Sequence, residues 1–206
     1  MEIKNVFVLC TGRCGSTTFA KAFAHATNWT AGHETRTYLT GPARLAYPPR
    51  HIEADNRLSW MLGRLDRAFG KDAFYVHLTR DPDAVARSFE RRLAKKAGII
   101  SAYVGEILMG APVRSKHIAP FDFSLDYVDT VTENIRLFLR DKPHQMDFRL
   151  ETGRADTETL WNRLGLTGNL DAALAAWDTR HNASRGPAGP AGRRGGGERA
   201  LKPQQS

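Results

Sequence analysis

No run of about 20 apolar residues occurs in this chain, so nothing in it predicts a helix that crosses a membrane. Cysteine is almost absent: the two that occur, Cys10 and Cys14, sit close together near the N-terminus. Such a pair builds no disulfide framework, and C-x-x-x-C without a second pair of ligands predicts no metal site. No internal repeat is visible. An apolar strand begins within a few residues of Met1, which leaves no room for a signal peptide and, with the scarce cysteine, predicts a cytoplasmic protein.

Acidic residues are also in deficit: 22 Asp and Glu stand against 30 Lys and Arg, a net charge of +8. From Arg185 onward Arg193, Arg194, Arg199, Lys202 and Arg185 itself face only Glu198, so half of the excess lies in that tail. The rest suits a polyanionic small ligand better than a nucleic-acid surface, and no nucleic-acid-binding signature accompanies it. What is present is the material of a folded domain. The 206 residues are 41% hydrophobic and include four Trp, enough for one substantial core. The reading places one domain over residues 1–182 and a flexible Gly/Pro/Arg-rich tail over 183–206.

Apolar, β-branched Val6 to Cys10 reads as a strand, followed by a turn with Gly12 and Gly15 and a helix with Phe19, Ala22, Phe23 and Ala26 on one face. Asn28 to Gly32 is a weak strand that delivers His33 and Glu34. Thr35 to Arg50, with three prolines, is irregular. Leu58, Met61, Leu62, Leu65 and Phe69 predict an amphipathic helix over Ile52 to Phe69. Ala73 to Leu78 is a strong third strand, with Asp81 as N-cap and Pro82 opening a helix to about Lys96. Its Arg91, Arg92, Lys95 and Lys96 read as a solvated face. Residues 98–120 are core or an acceptor pocket; Ser124 caps a helix to Arg140; Met146 to Leu150 is a strand; Asp156 to Leu164 and Asn169 to Trp177 are short helices. Strands alternating with helices predict an α/β, three-layer α/β/α fold around a mainly parallel sheet.

A strand, a glycine turn and a helix form a unit that binds phosphate, because glycines let an anion approach the backbone and the helix presents free N–H groups to it. Here Ser16, Thr17 and Thr18 add hydroxyls, and Arg13 adds a forked cation. The lysine of nucleoside-triphosphate loops is missing, since Gly15 is followed by Ser16. The run Thr11-Gly12-Arg13-Cys14-Gly15-Ser16-Thr17-Thr18 instead resembles the 5'-phosphosulfate loop of sulfotransferases that use 3'-phosphoadenosine 5'-phosphosulfate (PAPS). That loop commonly reads Gly-Arg/Lys-Ser-Gly-Thr-Thr; Cys14 stands where Ser is common, and Ser16 where Thr is. Thr79-Arg80-Asp81-Pro82 with Ser88 eight residues after Arg80 resembles the 3'-phosphate motif of the same family, in family order. Phe148-Arg149-Leu150-Glu151 and the Leu164-Gly165-Leu166 helix end extend the likeness over most of residues 3–182, with the middle unmatched. Arg193-Arg194-Gly195 is a poor version of the family's C-terminal basic loop.

The resemblance implies a P-loop-like sulfotransferase architecture that moves a sulfuryl group from PAPS to an acceptor hydroxyl of a carbohydrate or small molecule. It implies Arg13, Cys14, Gly15, Ser16, Thr17 and Thr18 at the 5' end of the nucleotide, Arg80 and Ser88 at the 3'-phosphate, and no metal. Arg13 also stabilises the leaving phosphate, while His33 or Glu34 takes the acceptor proton. Glu34 is favoured, with nearby Trp29 to desolvate it; the bland reading pairs Glu34 with Arg36. Partners are then a nucleotide co-substrate and an acceptor, with nucleic acid disfavoured and the oligomeric state open. The competing readings are a P-loop nucleotide kinase or NTPase-like protein and a basic nucleic-acid-binding protein.

Overall fold

Val6, Phe7, Val8 and Leu9 are all fully buried, and that fixes their strand at the middle of a sheet with both faces covered. The computed structural model describes residues 3–95, 98–114 and 116–179; Lys96 and the 183–206 tail lie outside these. In chain order the elements are β1 (Asn5–Leu9), α1 (Ser16–Phe23), β2 (Thr30–His33), β3 (His51–Ala54), α2 (Leu62–Phe69), β4 (Phe74–Thr79) and α3 (Pro82–Glu90). There follow α4 (Ile99–Ala102), α5 (Ala111–Arg114), α6 (Pro120–Leu139), β5 (Gln145–Arg149), α7 (Gly153–Arg163) and α8 (Leu170–Ala175). The five strands are all parallel in the order β2-β3-β1-β4-β5.

Alternation along β1 divides the core in two. Val6 and Val8 join Phe19 and Phe23 of α1, Leu160 and Trp161 of α7 and Ala173 of α8 on one face. Phe7 and Leu9 join Leu65 of α2, Val85 and Phe89 of α3 and Tyr127, Val131 and Ile135 of α6 on the other. Each such side chain contributes roughly 1.5–3 kcal/mol by leaving water. The result is the expected three-layer α/β/α arrangement. Among the described residues no helix is long and apolar enough to cross a membrane.

Several expectations need correction. The helix expected over Ile52 to Phe69 is a strand, β3, then a 3-10 turn over Asn56–Trp60, and only then α2. Ile52 and Ala54 do point into the core, but His51 and Glu53 on the other face are buried too. Those polar residues disguised the strand; they are satisfied by one another, His51 Nε2 lying 2.9 Å from Glu53 Oε2. The helix after β4 ends at Glu90, short of Lys96, although Asp81 does cap it, accepting from Ala84 N at 2.7 Å. Ser124 is not a cap: α6 starts four residues earlier with Pro120 in its first turn, and Ser124 Oγ donates back to Pro120 O at 3.0 Å. In the hard-to-read segment, Tyr103 is core, while Ile107 and Met109 are exposed.

The irregular stretch before β3 is anchored by an ion pair whose side chains are both fully buried, Arg44 Nη2 to Asp55 Oδ2 at 2.5 Å. Asp55 also accepts from Thr37 Oγ1 at 3.0 Å and from Arg57 N at 2.8 Å, capping the Asn56–Trp60 turn. Breaking a buried pair leaves an uncompensated charge, at about 3–5 kcal/mol. Arg44→Met is therefore expected to lower the melting temperature by roughly 10 °C or more, and adding Asp55→Asn to recover part of that. If the single variant melts like the parent, the pair does not hold this segment.

Candidate active site

The chain leaves β1 into α1 on one face of the sheet and leaves β4 into α3 on the other, so a crevice opens between the carboxyl ends of these neighbours. Open α/β sheets bind ligands at such a switch point. Register brings the other strand ends to the same edge: Ala54 pairs with both Val8 and His33, and Thr79 pairs with Arg149.

The loop leaving β1 is braced from below. Ser59 Oγ donates to Cys10 O at 3.1 Å and accepts from Cys10 N at 3.3 Å. Tyr127 OH donates to Thr11 O at 2.7 Å; burial pushes its phenol well above the ordinary value, which keeps the donated proton in place. Gly12, Arg13 and Gly15 then take φ of +85°, +62° and +96°. A Cβ at Gly12 would lie 2.6 Å from Asn56 Nδ2, and one at Gly15 2.6 Å from Leu150 Cδ1, so both glycines are needed. Left-handed backbone at a non-glycine such as Arg13 costs about 1–3 kcal/mol and persists where the surroundings impose it. No side chain caps α1 at Gly15, which leaves the positive end of that helix to a ligand.

Cys14 is fully buried beside Cys10, and both thiols are free. The hydrogen bond to Cys14, together with burial, pushes the Cys10 thiol well up. Cys14 can therefore meet a ligand through its backbone N–H, not its thiol. Thr18 is likewise buried, whereas Ser16 and Thr17 are half-buried and reach His33. His33 Nε2 lies 3.0 Å from Ser16 Oγ and 3.4 Å from Thr17 Oγ1.

The loop after β1 and the segment after β4 interlock. Arg13 Nε donates to Ser88 Oγ at 3.0 Å, and Arg80 Nη1 donates to Arg13 O at 3.3 Å. Burial, followed by the nearby positive charges of Arg92 and Arg80, pulls Arg13 below its ordinary value. A guanidinium so placed favours an anion. Arg80 makes no ion pair with Asp81; Asp81 N instead donates to Glu151 Oε1 at 2.9 Å.

Glu34 is not paired with Arg36, which donates to Ala43 O. Its partner is Arg57, Nη1 to Oε1 at 2.9 Å, with both side chains about a third exposed. Glu34 also holds a left-handed φ of +53°. The turn after it is fixed by Glu53, which accepts from Thr35 N and Thr35 Oγ1 at 2.7 Å each. Burial alone would raise the Glu53 carboxyl, but the His51 and Thr35 hydrogen bonds outweigh it and its pKa lies below the ordinary value.

Three participants escaped the sequence reading. Asn56 and Arg57 follow β3, and the helix expected there removed them from the sheet edge. Arg92, read as solvated, has its Nε buried. The signal for the first two was Asp55, a turn-capping residue after the short Ile52–Ala54 run. Among the described residues, no three His, Cys, Asp or Glu side chains gather as a metal ion requires.

No protein-family model matches this chain, and no curated protein matches it in sequence. Among solved structures it is similar to the sulfotransferase domain from the curacin biosynthetic pathway. That likeness has a TM-score of 0.58 at 14% identity, covering 91% of this chain and 82% of that one. At this identity the likeness is one of fold: the architecture is sulfotransferase-like.

Proposed function

We propose that this protein is a sulfotransferase that takes the sulfuryl group of PAPS and passes it to an acceptor hydroxyl on a carbohydrate or small molecule. The observation that carries the reading is the interlock of Arg13 with Ser88 and Arg80, which joins the loop after β1 to the motif after β4 in one cationic site. A nucleotide with anionic groups at both its 5' and 3' ends fits a site with two such halves. The Gly12–Thr18 loop would hold the 5' end, Arg80 and Ser88 the 3'-phosphate. In the reaction the bond from sulfur to the phosphate oxygen breaks and one to the acceptor oxygen forms. The charge left on the phosphate falls to Arg13 and the loop N–H groups, and the acceptor proton goes to a base beside the loop. A kinase or NTPase would need the lysine this loop lacks.

Thermal shifts with 3'-phosphoadenosine 5'-phosphate (PAP), ATP with magnesium, and an oligonucleotide test the reading; PAP is expected to stabilise the protein most. A larger shift with ATP or the oligonucleotide would replace the reading with a kinase-like or nucleic-acid-binding one. Arg80→Ala is expected to weaken PAP by about one to two orders of magnitude, the loss of a charge-assisted contact. It should weaken adenosine 5'-phosphate, which has no 3'-phosphate, far less. Equal losses for both ligands would remove Arg80 from the 3' end.

A further inference from the structure

Arg92 lies just past the end of α3, its N–H bonded to Phe89 O at 2.7 Å in a continuing turn. Four residues after Ser88, it falls on the same side of that helical path. Ser88 is buried and its Oγ holds Arg13 Nε, so this side faces the loop after β1. Phe89 approaches the same loop: a Cβ at Gly12 would lie 3.5 Å from Phe89 Cζ. The Arg92 Nε is buried with no hydrogen-bond partner among the described residues. A buried donor without a partner is costly, and native structures retain one where something else satisfies it.

Resting on the nucleotide reading above, we propose that Arg92 is a further phosphate-binding residue, the one that makes this site select a 3'-phosphate over a 3'-hydroxyl. A terminal phosphate monoester is close to dianionic at neutral pH and offers three acceptor oxygens. Arg80 and the Ser88 hydroxyl supply one positive charge between them, and Ser88 is already shared with Arg13. Arg92 supplies a second charge and a buried donor to the same group. Burial first, and then the nearby charges of Arg92 and Arg80, lower the pKa of Arg13, so like charges converge where a dianion would bind. Of the described basic residues after α3, Arg91 and Lys95 are exposed while Arg92 turns its Nε in.

The test uses Arg92→Met, which keeps the aliphatic stem and removes the guanidinium. PAP affinity, measured by calorimetry on the full chain, is expected to fall about 10- to 100-fold, and that of adenosine 5'-phosphate to stay unchanged. The melting temperature without ligand is expected to hold or rise, because an unpartnered donor and a like charge have gone. Equal losses for the two nucleotides, or unchanged PAP binding, would overturn the role of Arg92. A fall of many degrees in melting temperature would make it a structural residue and overturn the role equally. If the parent protein itself binds PAP no more tightly than adenosine 5'-phosphate, the nucleotide reading fails and not only this residue.

Discussion

Arg13→Ala is expected to lower sulfuryl transfer by about 10²–10³-fold, the range seen when one preorganised donor to a developing charge is removed, while the chain stays folded. Three observations motivate the size of the effect. Arg13 sits in a left-handed conformation between Gly12 and Gly15, where Asn56 and Leu150 leave no room for a Cβ. Its Nε is committed to Ser88, which orients the guanidinium fork. Burial, then the nearby charges of Arg92 and Arg80, lower its pKa, so a positive centre here gains from a further anion. The loop below does not depend on the side chain: Ser59 and Tyr127 hold the Cys10 and Thr11 backbone. The melting temperature should accordingly move by no more than a few degrees. Arg13→Lys keeps the charge without the fork and should recover activity only in part. An alanine variant that transfers sulfate at the parent rate would sink the assignment.

How much of this was legible in the sequence depended on what each residue's neighbours had to do. β1 and β4 were plain because central parallel strands are apolar on both faces, and Val6–Leu9 and Phe74–Leu78 have little else. The Asp81-Pro82 helix start was plain because capping is local. β3 was hidden because its polar residues His51 and Glu53 find partners in each other and in Thr35, which no local pattern reveals. With β3 lost, Asn56 and Arg57 were lost too, since a residue's place at the sheet edge follows from where its strand ends. The Arg13–Ser88 contact spans 75 positions of chain, and the lack of a partner for Arg92 Nε among the described residues is a property of the packed structure alone. The shape of the loop was legible because glycines between a buried strand and a helix act through local backbone geometry, with φ positive at Gly12 and Gly15.

The choice of base yields the second large effect. The residues alone favour Glu34, but the geometry favours its neighbour His33. A general base must come within hydrogen-bond reach of the proton it removes. His33 Nε2 already lies 3.0 Å from Ser16 Oγ, at the helix end where the sulfuryl group would be presented. A hydroxyl can rotate toward a bound nucleotide and leave that nitrogen to the acceptor. The Glu34 carboxylate is engaged by Arg57 at 2.9 Å, and Arg57 Nη1 also reaches Asn56 Oδ1 at 3.4 Å. Asn56 in turn packs on Gly12, so Glu34 is suited to holding Arg57 and Asn56 over the loop. His33→Ala is therefore expected to lower turnover by about 10²-fold or more with PAP affinity retained. Glu34→Gln, which keeps the shape and loses the charge, should cost less. Measuring kcat and PAP affinity for both variants separates the roles. If Glu34→Gln abolishes turnover and His33→Ala does not, the carboxylate is the base, and Arg57 must release it when the acceptor arrives.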